Sequence, residues 1–332
     1  MALVGGLGTR LRPLTLDTPK QMLPILHRPM LEWVVEGLAR HGVDEVVLSI
    51  GYRPDAFQGA YPDDRCLGVA LRYAVEPEPL DTAGAIRFAA MAAGLDERFI
   101  VVNGDVLTDL DVTALVAFHD ARGAEATIAL HRVTDPSRFG VVPTDAQGRV
   151  SAFVEKPSVG EAPTDLVNAG TYVLEPSVVA RIDEGRRVSM ERETFPALVA
   201  AGTLFAHDDW GAYWLDAGTP ADYIQAHVDV IQGRRSGPPV DSIHPDAEVR
   251  SSDVHSSVVG PGANVGEGTV LACAVVLDRA VIGDGAQITE SVIGPGATIG
   301  AGAILEGCVI GRDEVVAPDA RLHGARIPDG GS

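Results

Sequence analysis

In the last third of the chain, branched apolar residues recur every six positions: Val259, Val265 and Leu271, then Val276, Ile282 and Ile288, then Ile293, Ile299 and Leu305. Six fits neither the 3.6-residue period of a helix nor the two-residue alternation of a hairpin strand. It fits a parallel β-helix, in which each short strand turns one aliphatic side chain inward. Gly-x-Gly recurs in step, at Gly260/Gly262, Gly266/Gly268, Gly283/Gly285, Gly294/Gly296 and Gly300/Gly302, as tight corners demand. The two five-residue steps, Leu271 to Val276 and Ile288 to Ile293, predict slips at turns. A structureless glycine-rich tail has no reason to keep Val, Ile and Leu in register.

Upstream, to about residue 231, the texture is different. Glu45–Ile50, Arg98–Val102 and Ala126–Leu130 read as buried strands, and a further strand is expected over Val150–Val154. Leu31, Val34, Val35 and Leu38 fall on one helical face. A second helix is expected with Thr219 as N-cap, Pro220 in its first position and Gly233 just past its end. Such alternation predicts an α/β domain with a largely parallel sheet. Between the two textures, residues 232–244 are rich in Gly, Pro and charge and read as a linker. The expected division is therefore 1–231, a linker over 232–244, and a β-helix over 245–326; the length of 332 residues suits two domains.

Composition narrows the function. A net charge of −20 disfavours nucleic-acid and anionic-membrane partners. No apolar run approaches the ~18 residues of a membrane helix, and the first residues lack a secretory pattern, so a cytoplasmic location is expected. Cys66, Cys273 and Cys308 are widely spaced, without metal-site spacing, and are expected to be reduced thiols. Lys and Arg together number 26, yet Lys20 and Lys156 are the only lysines. An ammonium is a compact point charge that fits between phosphate oxygens, where the wider guanidinium fork does not.

The segment Gly5-Gly6-Leu7-Gly8-Thr9-Arg10-Leu11-Arg12-Pro13, running on to Pro19-Lys20, follows a short apolar stretch. That places it at a strand's C-terminal end, where α/β sheets bind ligands. Glycines let backbone N–H groups approach phosphate oxygens, and Arg10 and Lys20 add positive charge. A dinucleotide fingerprint would need Gly where Leu11 stands, and no Gly-Lys-Ser/Thr follows as in a Walker loop. Asp105, after an apolar strand, and Asp216, after Tyr213-Trp-Leu, would each put a carboxylate at the same sheet edge. Two such oxygen donors suit Mg²⁺, which usually keeps several waters.

GxGTRLxPxT followed by PK resembles the signature of the sugar-1-phosphate nucleotidyltransferases. The resemblance continues through Glu76–Gly84, Asn103-Gly-Asp105, Phe153–Pro157, Asn168-Ala-Gly170 and Tyr213–Gly218, in family order. Within that family the chain looks like the bacterial two-domain mannose-1-phosphate guanylyltransferases. It departs at Asp81, where the family often has Gly, and its first strand starts late. The resemblance implies a Rossmann-like (GT-A-like) α/β domain followed by a left-handed parallel β-helix of hexapeptide repeats. It implies a nucleotide site of Gly5, Gly6, Gly8, Thr9, Arg10, Glu76, Thr82 and Gly84. Gly140, Glu155, Lys156, Asn168 and Gly170 would hold the sugar phosphate, with Mg²⁺ on Asp105 and Asp216. Arg10, Lys20, Asp105, Lys156 and Asp216 are then the catalytic set, and homo-oligomers would form through the β-helix. At the position of Glu76, thymidylyl- and uridylyltransferases tend to carry Gln. A carboxylate accepts the two adjacent donors of guanine, N1–H and the N2 amine, in a bidentate pair. Glu76 therefore favours GTP over dTTP or UTP, with mannose 1-phosphate as the expected acceptor and glucose 1-phosphate as the alternative. Two readings of other classes stand beside it. One is acyl transfer by the β-helix, with His255 or His323 as the base; the other is a non-catalytic sugar-nucleotide sensor.

Overall fold

The fold was obtained as a computed structural model, which describes residues 1–209 and 211–328. The chain divides into two compact units. One comprises Met1–Gly6 with Val34–Trp214, and the other Leu7–Trp33 with Leu215–Ser332.

The first unit is built on a ten-stranded sheet. Its strands are β1 (Ala2–Leu3), β2 (Glu45–Ile50), β3 (Arg65–Cys66), β4 (Val69–Val75), β5 (Phe99–Asn103), β6 (Ala126–Arg132), β7 (Gly140–Val141), β8 (Val154–Glu155), β9 (Leu166–Leu174) and β10 (Leu204–Asp208). The order is β8-β7-β9-β5-β1-β2-β4-β3, with β6 beside β9 and β10 beside β6. The centre is parallel: β1 pairs with β2 and β5, and β2 with β4. β9 runs antiparallel to β5 and β6, so the sheet is mixed. The apolar runs of β2, β5 and β6 are buried on both faces, as parallel strands under helices require. The helix expected around Leu31–Leu38 is α1, Met30–Ala39. Helix α2, Asp81–Ala93, buries Ala83, Ile86, Ala89 and Ala90 against the sheet.

The strand expected over Val150–Val154 is shorter than its pattern suggested. Asp145 Oδ1 accepts the Gln147 and Arg149 amides, folding the chain into a turn, and Val150 keeps an isolated bridge to Thr144 and donates its amide to the Leu204 carbonyl before β8. The apolar run there reports burial of Val150, not continuous pairing.

In the second unit, α3 (Pro220–Ile231) starts as expected: the Thr219 side chain accepts the Asp222 amide. The β-helix follows, as three parallel five-stranded sheets. Val259 stacks on Val276, Val276 on Ile293, Ile293 on Ile310 and Ile310 on Ile327. Each coil is therefore two six-residue steps and one five-residue step. Left-handed backbone marks every corner, at Gly262, Gly268 and Cys273, then Arg279, Gly285 and Glu290, then Gly296, Gly302 and Gly307. The five-residue slips fall at Cys273 and Glu290, where the sequence places turns. Val259, Val265, Leu271, Val276 and Ile288 are fully buried, each such side chain contributing roughly 1.5–3 kcal/mol of apolar burial.

The three cysteines carry free thiols, with Cys66 and Cys308 buried. Among the described residues, no helix is long and apolar enough to cross a membrane.

Candidate functional site

The second unit holds the end of the glycine loop and gathers charge around it. Gly8 sits at φ +59, and a Cβ there would lie 3.0 Å from the Thr15 methyl and 3.2 Å from Lys20 Cβ. Thr15 Oγ1 and the Leu11 amide both donate to the Gly8 carbonyl, closing the turn. A short 3-10 turn, Thr9–Leu11, then presents Arg10 to solvent. A second, Lys20–Met22, turns Lys20 inward. The Lys20 side chain is only 5% exposed, and its Nζ lies 3.4 Å from Asp216 Oδ1. Gly218 explains how a third group fits: a Cβ there would come 2.6 Å from Arg10 Nη2 and 2.9 Å from Asp216 Oδ1. Arg10 and Asp216, 206 residues apart, thus meet at one buried glycine, and Lys20, 196 residues from Asp216, reaches the same carboxylate. Beside them Gln21 is buried, and its Oε1 has no hydrogen-bond partner among the described residues.

The first unit carries the remaining candidates. Gly5 touches β2's end: its Cβ would sit 3.0 Å from the Gly51 amide and 3.4 Å from Glu76 Oε1. Gly6 differs, because an added Cβ meets nothing within 4 Å and its φ is ordinary. Glu76 is half-buried, and its carboxylate accepts Ser49 Oγ at 3.3 Å and the Leu80 amide at 3.1 Å. Glu78 is exposed. Asp81 opens α2 at φ +61, a conformation that glycine takes without cost and Asp tolerates. That accounts for the departure from the family's glycine there.

Thr82 and Gly84 have packing partners of their own. Thr82 Oγ1 donates to Glu191 and accepts the Met190 amide, both at 2.8 Å. A Cβ on Gly84 would come 2.8 Å from the Arg186 carbonyl. Gly140 is likewise filled by the Phe153 ring, 2.5 Å from its would-be Cβ. Gly140 pairs with Glu155 across β7 and β8. Glu155 Oε1 lies 3.3 Å from Lys156 Nζ, and the Lys156 side chain is 63% exposed. Lys156 itself holds φ +49, a strained backbone for a residue with a long side chain.

Asn168 and Gly170 occupy a bulge in β9, where the register against β6 shifts; bulges commonly re-aim side chains at sites. Asn168 Oδ1 accepts the Gly170 amide, and its Nδ2 donates to Tyr172 Oη, both at 2.9 Å. Burial, with Glu191, Glu155 and Asp105 nearby, pushes the Tyr172 hydroxyl well above its usual range, so it stays neutral. Gly170 leaves room for Asn103, 2.6 Å from its would-be Cβ. Asp105 follows at β5's C-terminal end and is half-buried.

Sequence reasoning missed several neighbours. Trp214 donates to the Ala169 carbonyl at 2.9 Å and stacks on His131, their ring centres 5.0 Å apart. Burial lowers the His131 pKa, keeping the imidazole neutral. The Tyr-Trp-Leu-Asp run held the signal for Trp214, but only its aspartate had a chemical reason attached. Glu191 and Gln21 carried no local signal. Among the described residues, no cluster of three or more His, Cys, Asp or Glu could hold a metal alone.

His255 and His323 stand in one outward column of the β-helix, with Ala272, Thr289 and Glu306 stacked between them. At roughly 4.8 Å per coil, the two are too far apart to share a site within the chain.

The nucleotidyl transferase family model matches residues 1–233. The chain belongs to this family. Residues 239–329 of this nucleotidyl transferase match a second model, the GMPPB C-terminal domain. The chain is 41% identical over 299 residues to a mannose-1-phosphate guanylyltransferase of Mycobacterium tuberculosis, covering 87% of this chain and 82% of the other. It is 36% identical to mannose-1-phosphate guanylyltransferase 1 of Arabidopsis thaliana, with the same coverage. Among solved structures, HddC from Yersinia pseudotuberculosis is similar, with a TM-score of 0.59, 31% identity, and 68% of this chain matched to 96% of that one. A second HddC structure, complexed with GMP-PN, matches equally.

Proposed function

We propose that this nucleotidyl transferase transfers GMP from GTP to mannose 1-phosphate and releases pyrophosphate. The observation that carries the proposal is the convergence on Asp216 of buried Lys20 and, across Gly218, of Arg10. A buried ammonium and a guanidinium beside a carboxylate suit a polyphosphate with a divalent ion. Gly6 supports the same reading: its missing side chain has no packing reason, so the space serves a phosphate and its backbone amide. The names of the relatives support guanine and mannose. Glu76, which spends two of its acceptor positions on Ser49 and Leu80, keeps others for the two donors of guanine.

In this mechanism the sugar phosphate attacks the α-phosphorus in line, and pyrophosphate leaves. The nucleophile needs no general base, since a phosphate monoester's second pKa is about 6. Arg10 and Lys20 hold the β- and γ-phosphates and offset the charge that builds on the leaving group. Thr9 and the amides of Gly5, Gly6 and Gly8 line the triphosphate, with Thr82 and Gly84 framing the base. Lys156, swung from Glu155, orients the incoming phosphate, and Glu155, Asn168, Gly140 and Gly170 shape the sugar site. Asp105 and Asp216 are hard oxygen donors suited to Mg²⁺, and the ion would take its other ligands from phosphates and water. When bound, it supplies charge neutralisation at the phosphates.

We further propose that residues 1–231 carry the chemistry and that 245–326 mediate association of a cytoplasmic homo-oligomer. Val281 and Val315, outward-facing in one sheet of the β-helix and 43% and 70% exposed, support an interface there. The test is a pyrophosphate-release screen of GTP, ATP, UTP and dTTP against mannose 1-phosphate and glucose 1-phosphate. Release is expected fastest with GTP and mannose 1-phosphate and to stop on chelation with EDTA. Release with dTTP and glucose 1-phosphate alone would move the assignment, and no release with any pair would remove it.

A further inference from the structure

The last coil of the β-helix holds the opening loop directly. Arg326, in the strand Arg326–Ile327, donates from Nη1 to the carbonyls of Arg10 at 2.8 Å and of Arg12 at 2.9 Å. These two oxygens are the ones the turn does not use in its own backbone bonds. The Gly8, Thr9 and Leu11 carbonyls accept the amides of Leu11, Arg12 and Leu14. The guanidinium thus caps the C-terminal end of the 3-10 turn, where carbonyls converge and a cation is favoured. Two further contacts tie the same loop to the same end of the coil. Arg312 Nε donates to Asp17 Oδ2 at 2.6 Å, and a Cβ on Gly311 would come 3.3 Å from Pro13 Cβ.

We propose that Arg326 is a positioning residue for the triphosphate. By fixing the carbonyls on either side of Leu11, it sets the direction in which Arg10 leaves the turn, toward Gly218 and Asp216. The β-helix is then a brace for the phosphate loop as well as a platform for association. This inference rests on the proposed role of Arg10 in binding phosphate. Without the cap, the loop samples other turn geometries, and the bound form is reached at the expense of affinity.

The experiment is steady-state kinetics on the full chain with Mg²⁺, GTP and mannose 1-phosphate, for Arg326→Ala, Arg326→Lys and Arg10→Ala, with the Tm of each. Expected for Arg326→Ala is a KM for GTP raised roughly tenfold, the scale of one lost charge-assisted hydrogen bond. The KM for mannose 1-phosphate and the Tm should stay near wild type, and Arg326→Lys should recover part of the loss. An unchanged KM for GTP overturns the proposal. So does a rise in both KM values together with a fallen Tm, which is the mark of general loosening. If Arg10→Ala keeps the wild-type KM for GTP, the reading of the phosphate site fails and this inference with it. If Arg10→Ala loses GTP affinity while Arg326→Ala does not, the brace alone is removed.

Discussion

A Cβ added at Gly300 in the β-helix would land on the backbone of Ala317 and Pro318 in the next coil. Gly285 has open space around it but holds φ +67. In each Gly-x-Gly of the coils, the first glycine answers to the neighbouring coil and the second to backbone conformation. The opening loop obeys these rules at Gly5 and Gly8 and breaks them at Gly6, which has neither a close neighbour nor a left-handed φ. Neither packing nor backbone conformation therefore explains the missing side chain at Gly6. Packing and backbone conformation account for the coil glycines, and the proposed phosphate contact would account for Gly6.

The largest effect should come from the charges around that loop. Lys20→Ala should cut turnover by about 10²–10³, the scale for losing one preorganised electrostatic contact, with the circular dichroism spectrum unchanged. Wild-type turnover in that variant would take Lys20 out of the mechanism. Gly300→Ala should do the opposite, lowering unfolding free energy by about 3 kcal/mol in urea titration while leaving the KM for GTP alone. Gly285→Ala should cost less, about 1 kcal/mol, as strain without a clash. A cost at Gly285 equal to that at Gly300 would erase the division of labour within the Gly-x-Gly pairs.

His227 offers a pH test of the packing beneath the loop. Its ring is buried, its Nδ1 accepts the Leu26 amide, and burial pulls its pKa down from 6.5 to about 3. The unfolded chain binds this proton near pH 6.5 and the folded chain does not. Stability is therefore retained above pH 6.5 and lost as pH falls toward 3, by about 1.4 kcal/mol per pH unit from this residue. Between pH 6 and 4, His227→Gln should flatten the stability profile by that slope relative to wild type. Parallel profiles would mean that His227 takes its proton while folded. The smallest stability effect belongs to Gly6→Ala, within about 0.5 kcal/mol, yet its KM for GTP should rise. Destabilisation matching Gly300→Ala, with GTP affinity kept, would collapse the contrast between the two regions.

What was legible in the sequence follows from how local each cause is. The β-helix repeats its cause in every coil, so Val259, Val276 and Ile293 announced their column. Helix α3 wrote its start in two adjacent residues, Thr219 and Pro220. The order of the ten strands was not legible, because pairing of β9 with β5 depends on residues some 70 positions apart. Nor was the dual employment of Thr82, whose partner Glu191 lies 109 residues away. Val150 misled because burial and strand pairing leave the same apolar mark. The loop motif and Lys20 could be read from the sequence as groups suited to phosphate, and the structure brings Lys20 to Asp216. Gly84 and Gly140 were readable as glycine but not as packing, since their neighbours Arg186 and Phe153 come from elsewhere in the chain.

The contact between Arg326 and Arg10 spans 316 residues. During synthesis, which runs from N- to C-terminus, the loop emerges long before its cap. A nascent chain can pair strands and stack early coils, but it cannot cap this turn until the coil that carries Arg326 has followed. Chains broken off before that coil would therefore lack the guanidinium that caps the Arg10 and Arg12 carbonyls.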